Sequence, residues 1–146
     1  MREHLVAGLA GDNHPVRVTG IDHLVLTVAS IEAAVDFYSR VLGMEVITFG
    51  QGRTALRLGG QKINLHAARA PIAPHADRPV PGSADLCLVA VGGIDAAAAH
   101  LAACGVPVEL GPVERAGARG SVRSLYVRDP DRNLVELAFY DGAGEA

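Results

Sequence analysis

IDHLVLTVASIEAAVDFYSRVLG, residues 21–43, joins a strand pattern directly to a helix pattern. Its first eight residues are rich in β-branched and apolar side chains, which favour a strand. Ser30 is then the predicted N-cap of a helix, and Gly43 marks its end. Between them, apolar residues recur at helical spacing at Ile31, Val35, Tyr38, Val41 and Leu42. The stretch therefore predicts a strand followed at once by an amphipathic helix.

Three short apolar segments complete the first half of the chain. They are MEVITFG (residues 44–50), RTALRLGG (53–60) and QKINLHA (61–67), and glycine-containing turns separate them. This spacing is typical of an antiparallel meander. The first half is therefore a predicted βαβββ unit.

The second half repeats this order. ADLCLVAV (residues 84–91) is a strand pattern, GGIDAAAAHLAACG (92–105) is a helix pattern, and VPVELGP, GSVRSLYVRDP and NLVELAFY are three further strand patterns. DPDRN (residues 129–133), which joins the last two of these strand patterns, is a strong turn signal. The halves align without a gap from Ile21 and Ala84, which places His23 opposite Leu86. Chance similarity between two amphipathic strand–helix pairs is the alternative, but the whole order of elements repeats as well.

Composition restricts the class of protein. The chain has 146 residues, 49% hydrophobic and 20% charged, which indicates one compact globular domain and excludes disordered and collagen-like classes. Charge, glycine or proline interrupts every apolar run, so no membrane span is expected. A net charge of −3 argues against nucleic-acid binding. The N-terminal sequence lacks a convincing signal peptide, so we expect a cytoplasmic location.

The domain organisation follows from these patterns. A single domain is predicted over residues 19–141, with modules at about 19–66 and 84–140. A linker with four prolines joins the modules at 67–83, because proline is excluded from helix interiors and central strands. Residues 1–18 are a predicted N-terminal extension, and residues 142–146 a predicted tail.

Alternation along the strands places three polar side chains on faces opposite the helix-packing residues. They are His23, His66 and Glu136. Two imidazoles and one carboxylate form the ligand set of an open site for a divalent metal ion such as Fe, Mn, Ni or Zn. Three protein ligands leave positions free for a substrate. The alternative is that each residue simply lies on a sheet face that contacts water.

The chain resembles a known superfamily. GIDHLVLTVASIEAAVDFYSRVLGMEV followed by SLYVRDPDRNLVEL is similar to the vicinal oxygen chelate superfamily, which includes glyoxalase I, extradiol dioxygenases and bleomycin-binding proteins. The resemblance covers residues 19–141 and is closest to small glyoxalase-domain-containing proteins of virulence-protein type. It implies an α+β fold in which two βαβββ modules form a half-open mixed β-barrel with helices outside.

The resemblance also implies a metal site. The first-strand ligand of the superfamily falls on His23, the ligand that ends the first module on His66, and the last-strand carboxylate on Glu136. The ligand that opens the second module is usually histidine, and here it is Leu86, which departs from a four-ligand glyoxalase I site. One divalent metal ion, Zn, Ni, Fe or Mn, is the implied cofactor.

A set of candidate substrate-binding residues surrounds these positions. Ser124 and Tyr126 match pocket residues of the fosfomycin-resistance transferases by the resemblance, while a cross-strand serine and a core tyrosine are the alternatives. Val25 replaces the threonine of those transferases, which argues against fosfomycin chemistry. His75 in the linker can reach the pocket mouth or be an ordinary solvated histidine. The full set is Ser124, Tyr126, Asn64, Val25, Leu86 and His75.

The sequence is compatible with two functions. One is a divalent-metal-dependent enzyme, a lyase, isomerase or dioxygenase, acting on a small substrate that chelates the metal through adjacent oxygens. The other is a non-catalytic small-molecule or antibiotic binding protein of bleomycin-resistance type, although only 4% of residues are aromatic and a stacking pocket needs more. The expected partners are a small-molecule substrate and a second copy of the chain, with neither nucleic acid nor membrane.

Overall fold

A computed structural model describes residues 13–140. In the first half the elements are β1 (His23–Val28), α1 (Ile31–Asp36), β2 (Glu45–Phe49), β3 (Arg53–Leu58) and β4 (Gln61–Ala67). In the second half they are β5 (Asp85–Val89), α2 (Ile94–Ala103), β6 (Leu110–Gly117), β7 (Gly120–Arg128) and β8 (Leu134–Tyr140). A π-helical segment, Phe37–Val41, extends α1.

The strands form two sheets with the same topology. The first has the order β1-β4-β3-β2 and the second the order β5-β8-β7-β6. In each sheet the first and last strands of the module pair in parallel, and the remaining pairs are antiparallel. The predicted α+β fold with two βαβββ modules is confirmed, and within residues 13–140 the two sheets are not closed into one barrel.

The first helix begins as the sequence predicts. The Ser30 side chain accepts a hydrogen bond from the backbone N–H of Ala33, at 3.1 Å. The π-helical segment that follows buries Phe37, Tyr38 and Val41 in the core. Gly43 then adopts a φ of 75°, which suits a residue without a Cβ at a helix end.

The position of β6 corrects the prediction. VPVELGP (residues 106–112) was expected to be the strand, but β6 runs from Leu110 to Gly117, and its regular pairing with β7 starts at Val113. Pro107 has no N–H to donate to a neighbouring strand. At Gly111, where the register shifts, φ is +125° and a Cβ would collide with the carbonyl oxygen of Ser124. The strand therefore lies later than its apolar pattern indicates.

The remaining predictions about organisation have different outcomes. β4 ends at Ala67 and β5 begins at Asp85, so the proline-rich stretch joins the two modules as expected. The exact domain limits stay a prediction, and residues 1–12 and 141–146, which include the predicted tail and most of the extension, lie outside the described residues. None of the helices between residues 13 and 140 has the length and apolar composition needed to cross a membrane.

A turn between β7 and β8 connects the two modules. The buried carboxylate of Asp129 accepts hydrogen bonds from the Tyr38 hydroxyl at 2.7 Å and from the backbone and side-chain N–H groups of Asn133. Asp131 accepts a hydrogen bond from the backbone N–H of Ala29, directly after β1. Arg132 takes the positive φ of this turn, 69°. The DPDRN motif thus holds the first module against the second.

We expect Tyr38→Phe to destabilise the protein by about 1.5–3 kcal/mol. The substitution removes the donor of a buried hydrogen bond to the Asp129 carboxylate, and such charged hydrogen bonds contribute about that much. Urea unfolding followed by circular dichroism measures the change. Tyr140→Phe is the matched control, because that hydroxyl accepts a hydrogen bond from the exposed backbone N–H of Arg119. Equal losses in the two variants would contradict this role of Asp129.

Candidate functional site

The polar face of the first sheet is built in three rows across its strands. The middle row contains Asn64, flanked by Val25 on β1 and Ala55 on β3. The row next to it contains His66, paired with Thr27, and Arg53, paired with Phe49. The third row consists of Glu45, Arg57, Lys62 and His23.

Arg53 determines which ring nitrogen of His66 carries the proton. Its Nη2 atom lies 3.3 Å from Nε2 of His66. Because a guanidinium can only donate, Nε2 must be the acceptor, and the single proton of the neutral ring is on Nδ1. Burial, then the positive charge of Arg53 and then His75, lower the pKa of His66, so the neutral form is favoured. His66 is only 4% exposed, and its Nδ1 has no hydrogen-bond partner.

Asn64 is the second buried polar residue of this face. It is 5% exposed, and its Oδ1 atom also lacks a hydrogen-bond partner. An unpaired buried polar atom costs about 1–3 kcal/mol, so two on one face require an explanation. Val25, beside Asn64, is 44% exposed and leaves this edge of the face open. Asn64 and Val25 therefore lie side by side on this face, and their contact with a substrate stays a prediction.

The polar face of the second sheet is centred on Glu136. The Ser124 hydroxyl donates a hydrogen bond to Oε2 of Glu136 at 2.7 Å. Cys87 on β5 and Tyr126 on β7 are the residues paired with Glu136 on either side. The Tyr126 hydroxyl accepts a hydrogen bond from Nε of Arg115 at 3.0 Å. The structure brings together Ser124, Tyr126 and Glu136, three of the residues that the sequence predicts for the site.

Cys87 is a member of this cluster that the sequence analysis did not identify. Partial desolvation, then the negative charge of Glu136 and a hydrogen bond to it, raise the pKa of the Cys87 thiol to about 11. The thiol is therefore protonated at neutral pH. The signal that would have found it is the parallel register of β5 and β8, which sequence periodicity does not give.

Leu86 lies on the other face of β5. It pairs with the fully buried Val135 and packs against the hydrophobic core. The gapless alignment of the halves therefore fails by one residue within the strands. Leu88 has the core position in β5 that Leu26 has in β1, and these two residues are 62 positions apart. The first residues of α1 and α2 are 63 positions apart. The β5–α2 join is one residue longer, and the structure does not bring Leu86 to the site.

His75 lies near the first polar face. The residue is exposed, and its Nδ1 is 2.9 Å from the backbone oxygen of Ala76. It is close enough to contribute to the lowered pKa of His66. The structure thus places His75 in the neighbourhood of His66, and a role of His75 in substrate binding stays a prediction.

The three predicted metal ligands do not fit one metal ion in this chain. His23 and His66 are four residue pairs apart in the register of β1 and β4, about 13 Å along the strands. Nδ1 of His23 is 2.8 Å from an Asp22 carboxylate oxygen, so Nε2 is the nitrogen of this ring that stays available. Nε2 of His66 faces a guanidinium, which repels a cation. Between residues 13 and 140, no group of three or more His, Cys, Asp or Glu side chains converges to hold a metal.

Comparison with known proteins agrees with the fold. The sequence model of the Glyoxalase/Bleomycin resistance protein/Dioxygenase superfamily matches residues 20–137. The chain belongs to this superfamily. The resemblance noted in the sequence is therefore confirmed, and the superfamily membership is now established independently of any single site residue.

Several members of the glyoxalase superfamily are close relatives. Glyoxalase domain-containing protein RDO1 from Mycosarcoma maydis is 51% identical over 126 residues, 86% of this chain and 71% of the relative. Virulence protein STM3117 from Salmonella typhimurium is 48% identical over 120 residues, 82% of this chain and 83% of the relative. The crystal structure of STM3117 superposes with a TM-score of 0.84 and 46% identity, covering 86% of this chain and 99% of that chain.

A lactoylglutathione lyase is also structurally similar. The crystal structure of the enzyme from Agrobacterium tumefaciens superposes with a TM-score of 0.65 at 25% identity, covering 89% of this chain and 100% of that chain. The fold is therefore shared with an enzyme of the superfamily, whereas the close relatives carry no activity in their names.

We expect Cys87 to react slowly with iodoacetamide at pH 8 and faster as the pH approaches 11. A thiol pKa of about 11 instead of 9.0 leaves about a hundredfold less thiolate at pH 8. Glu136→Gln removes the negative charge, so alkylation at pH 8 should accelerate several-fold. Mass spectrometry of a Cys104→Ser background follows Cys87 alone. An unchanged rate in Glu136→Gln would show that the carboxylate does not contact the thiol.

Proposed function

We propose that the protein is an enzyme that transfers a proton at a carbon next to a carbonyl group of a small substrate, as lyases and isomerases of this kind do. Glu136 is the proton acceptor, and Tyr126 donates a hydrogen bond to the carbonyl oxygen. The observation that supports this most is the adjacent placement of a carboxylate and a phenol, each held by its own partner, on one sheet face.

The surroundings of Glu136 suit a proton acceptor. Its carboxylate is half-buried and accepts a hydrogen bond from the Ser124 hydroxyl, and Cys87 is its neighbour on β5. Glu136 belongs to no ion pair among residues 13–140. A positioned carboxylate of this kind contributes about 10²–10⁴-fold to a proton-transfer step.

Tyr126 suits the stabilisation of an oxyanion. Its hydroxyl oxygen accepts from Arg115, so the hydroxyl hydrogen remains available to a substrate. The Arg115 guanidinium also lies 5.5 Å from the centre of the Tyr126 ring. A positive charge beside the phenol makes it a better donor to an oxygen on which negative charge develops.

Metal dependence is a separate hypothesis. A divalent metal ion would polarise the substrate carbonyl, which is the chemistry implied by the resemblance for a lyase, isomerase or dioxygenase. Because His23, His66 and Glu136 do not fit one ion in this chain, no step is derived through a metal. The divalent cofactor, the homodimer and the cytoplasmic location stay predictions.

One observation favours a second function, small-molecule binding without catalysis. The unpartnered Nδ1 of His66 and Oδ1 of Asn64 provide hydrogen bonds to a ligand whether or not a reaction follows. In that case Glu136 and Tyr126 would be polar residues of a sheet surface.

Proton exchange separates the two functions without knowledge of the complete reaction. Hydroxyacetone, dihydroxyacetone and pyruvate are incubated with the protein in D₂O, and loss of the hydrogens next to the carbonyl is followed by proton NMR. We expect exchange above the buffer rate, reduced at least a hundredfold by Glu136→Gln and less by Tyr126→Phe. Glu114→Gln is the matched control, because this exposed carboxylate also accepts a serine hydroxyl, from Ser121 at 2.7 Å.

Three outcomes would overturn the proposal. Exchange that persists in Glu136→Gln would remove the carboxylate from the reaction. Binding of these compounds without exchange would establish the non-catalytic function. Exchange that requires added Zn, Ni, Mn or Fe and disappears in both His23→Ala and His66→Ala would establish the metal-dependent reaction instead.

A further inference from the structure

Two arginines of this protein hold carboxylates with the same pair of N–H groups. Nε and Nη2 of Arg40 each lie 3.0 Å from an oxygen of Asp36, and those of Arg128 each lie 3.0 Å from an oxygen of Glu109. The two N–H groups are parallel because the guanidinium is planar, and together they match the oxygens of a carboxylate. An arginine that uses one of these two N–H groups therefore keeps a place for one more oxygen.

Arg115 has the same pair of N–H groups, but the protein uses only one of them. Its Nε donates to the Tyr126 hydroxyl at 3.0 Å, and its Nη1 donates to the backbone oxygen of Glu114 at 3.1 Å. Nη2 forms neither a hydrogen bond nor an ion pair with residues 13–140. A free N–H of Arg115 therefore lies directly beside the Tyr126 hydroxyl.

The Arg115 guanidinium is open to solvent. The residue is exposed, and it lines a cavity of about 430 Å³ beside the turn between β6 and β7. Glu114, Ala116, Gly120 and Ser121 line the same cavity. The Glu114 carboxylate accepts a hydrogen bond from the Ser121 hydroxyl at 2.7 Å, and the ion pairs within residues 13–140 do not include it. A ligand therefore reaches Nη2 without displacing a carboxylate of the protein.

Tyr126 connects this free N–H to the rest of the site. Arg115 pairs with Val122, four residues before Tyr126 on β7, and four residues of a strand span about 13 Å. The Arg115 and Tyr126 side chains therefore extend toward each other along one face of β7, over Ser124. Ser124 is fully buried and donates its hydrogen bond to Glu136. The guanidinium, the phenol and the carboxylate thus lie around Ser124.

The order of these groups selects a class of substrate. The Tyr126 hydroxyl and Nη2 of Arg115 are neighbouring donors, so they fit oxygens on two adjacent carbon atoms of one molecule. A guanidinium binds a carboxylate oxygen more strongly than a neutral oxygen. A substrate carboxylate has to lie on the Arg115 side, because the negative charge of Glu136 repels it. The carbon on the far side of the keto group then faces Glu136.

We propose that Arg115 is the specificity-determining residue for a 2-oxo acid, whose carboxylate it binds through Nη2 while Tyr126 binds the keto oxygen. This role rests on the proposed proton transfer, and it names the substrate class for that reaction. Glu136 takes a proton from the carbon beyond the keto group, and the electron pair of that C–H bond goes to the enolate oxygen at Tyr126. Arg115 positions the acid and takes no part in the transfer.

Titrations that do not depend on turnover test this role. Sodium pyruvate, hydroxyacetone and sodium acetate are added separately at constant ionic strength without added metal, and nitrogen–proton NMR spectra are recorded. Pyruvate has both the carboxylate and the keto group, hydroxyacetone lacks the carboxylate, and acetate lacks the keto group. We expect pyruvate to bind in the millimolar range, about tenfold more tightly than the other two, with amide shifts on β6, β7 and β8.

Variants of Arg115 separate its charge from its geometry. Arg115→Gln should weaken pyruvate binding by about tenfold or more and hydroxyacetone binding by less than about threefold, because only pyruvate has the carboxylate. Arg115→Lys keeps the charge without the paired N–H groups and should restore part of the affinity. Arg123→Gln is the matched control, since Arg123 is exposed on the same hairpin but pairs with Glu114 and Phe139 on the opposite face. The amide spectrum of each variant without ligand shows whether it is folded.

The proton exchange described above gives a second measurement. In Arg115→Gln the KM for pyruvate should rise about tenfold, whereas the KM for hydroxyacetone should change by less than about threefold. A merely structural role of Arg115 would change both KM values by the same factor.

The following results would overturn the role of Arg115. They are equal losses of pyruvate affinity in Arg115→Gln and Arg123→Gln, equal affinity of the unsubstituted protein for pyruvate and hydroxyacetone, amide shifts confined to the first sheet, or no shift at about 50 mM pyruvate. Exchange of pyruvate protons with a KM that does not depend on Arg115 would refute this role alone. Binding of pyruvate that depends on Arg115 but leads to no exchange would refute the proton transfer alone.

Discussion

The carboxylate of Asp129 is the point on which the arrangement of the two modules depends. It is 4% exposed and accepts hydrogen bonds from the Tyr38 hydroxyl of the first module and from Asn133 of the second. The side-chain oxygen of Asn133 in turn accepts from the backbone N–H of Ala84, just before β5. One turn therefore positions the first helix, the start of the second module and the β7–β8 hairpin that carries Ser124, Tyr126 and Glu136.

The sequence was sufficient for most of the fold because the fold depends on local patterns. Period-two and helical spacing locate the elements, Ser30 and Gly43 delimit the first helix, and DPDRN identifies the turn. β6 was misplaced because its apolar pattern extends over Pro107, whereas its pairing begins after the irregular backbone at Gly111. Strand pairing depends on tertiary contacts, so the sequence of an edge strand contains little information about which residues pair.

The sequence assigned single residues to sheet faces but did not predict how those residues are arranged. Alternation correctly assigned His66, Asn64 and Glu136 to polar faces, yet it contains no information about the offset between parallel strands. That offset separates His23 from His66 and pairs Cys87 with Glu136. The guanidinium of Arg53, which determines the tautomer of His66, lies on a neighbouring strand and has no motif of its own. The chemistry of each sheet face therefore depends on contacts between strands.

The longer join between β5 and α2 has a consequence for how the two halves are compared. Gly92 and Gly93 adopt φ values of 95° and 91°, so the join absorbs its extra residue in backbone conformations that glycine tolerates. In each half the buried faces of the strand and of the helix pack into the core, although the number of residues between that strand and that helix differs. Such a glycine join lets one half differ in length from the other while its core stays intact. A comparison of the two halves therefore needs a gap at this join, because a gapless alignment pairs His23 on a polar face with Leu86 on the core face.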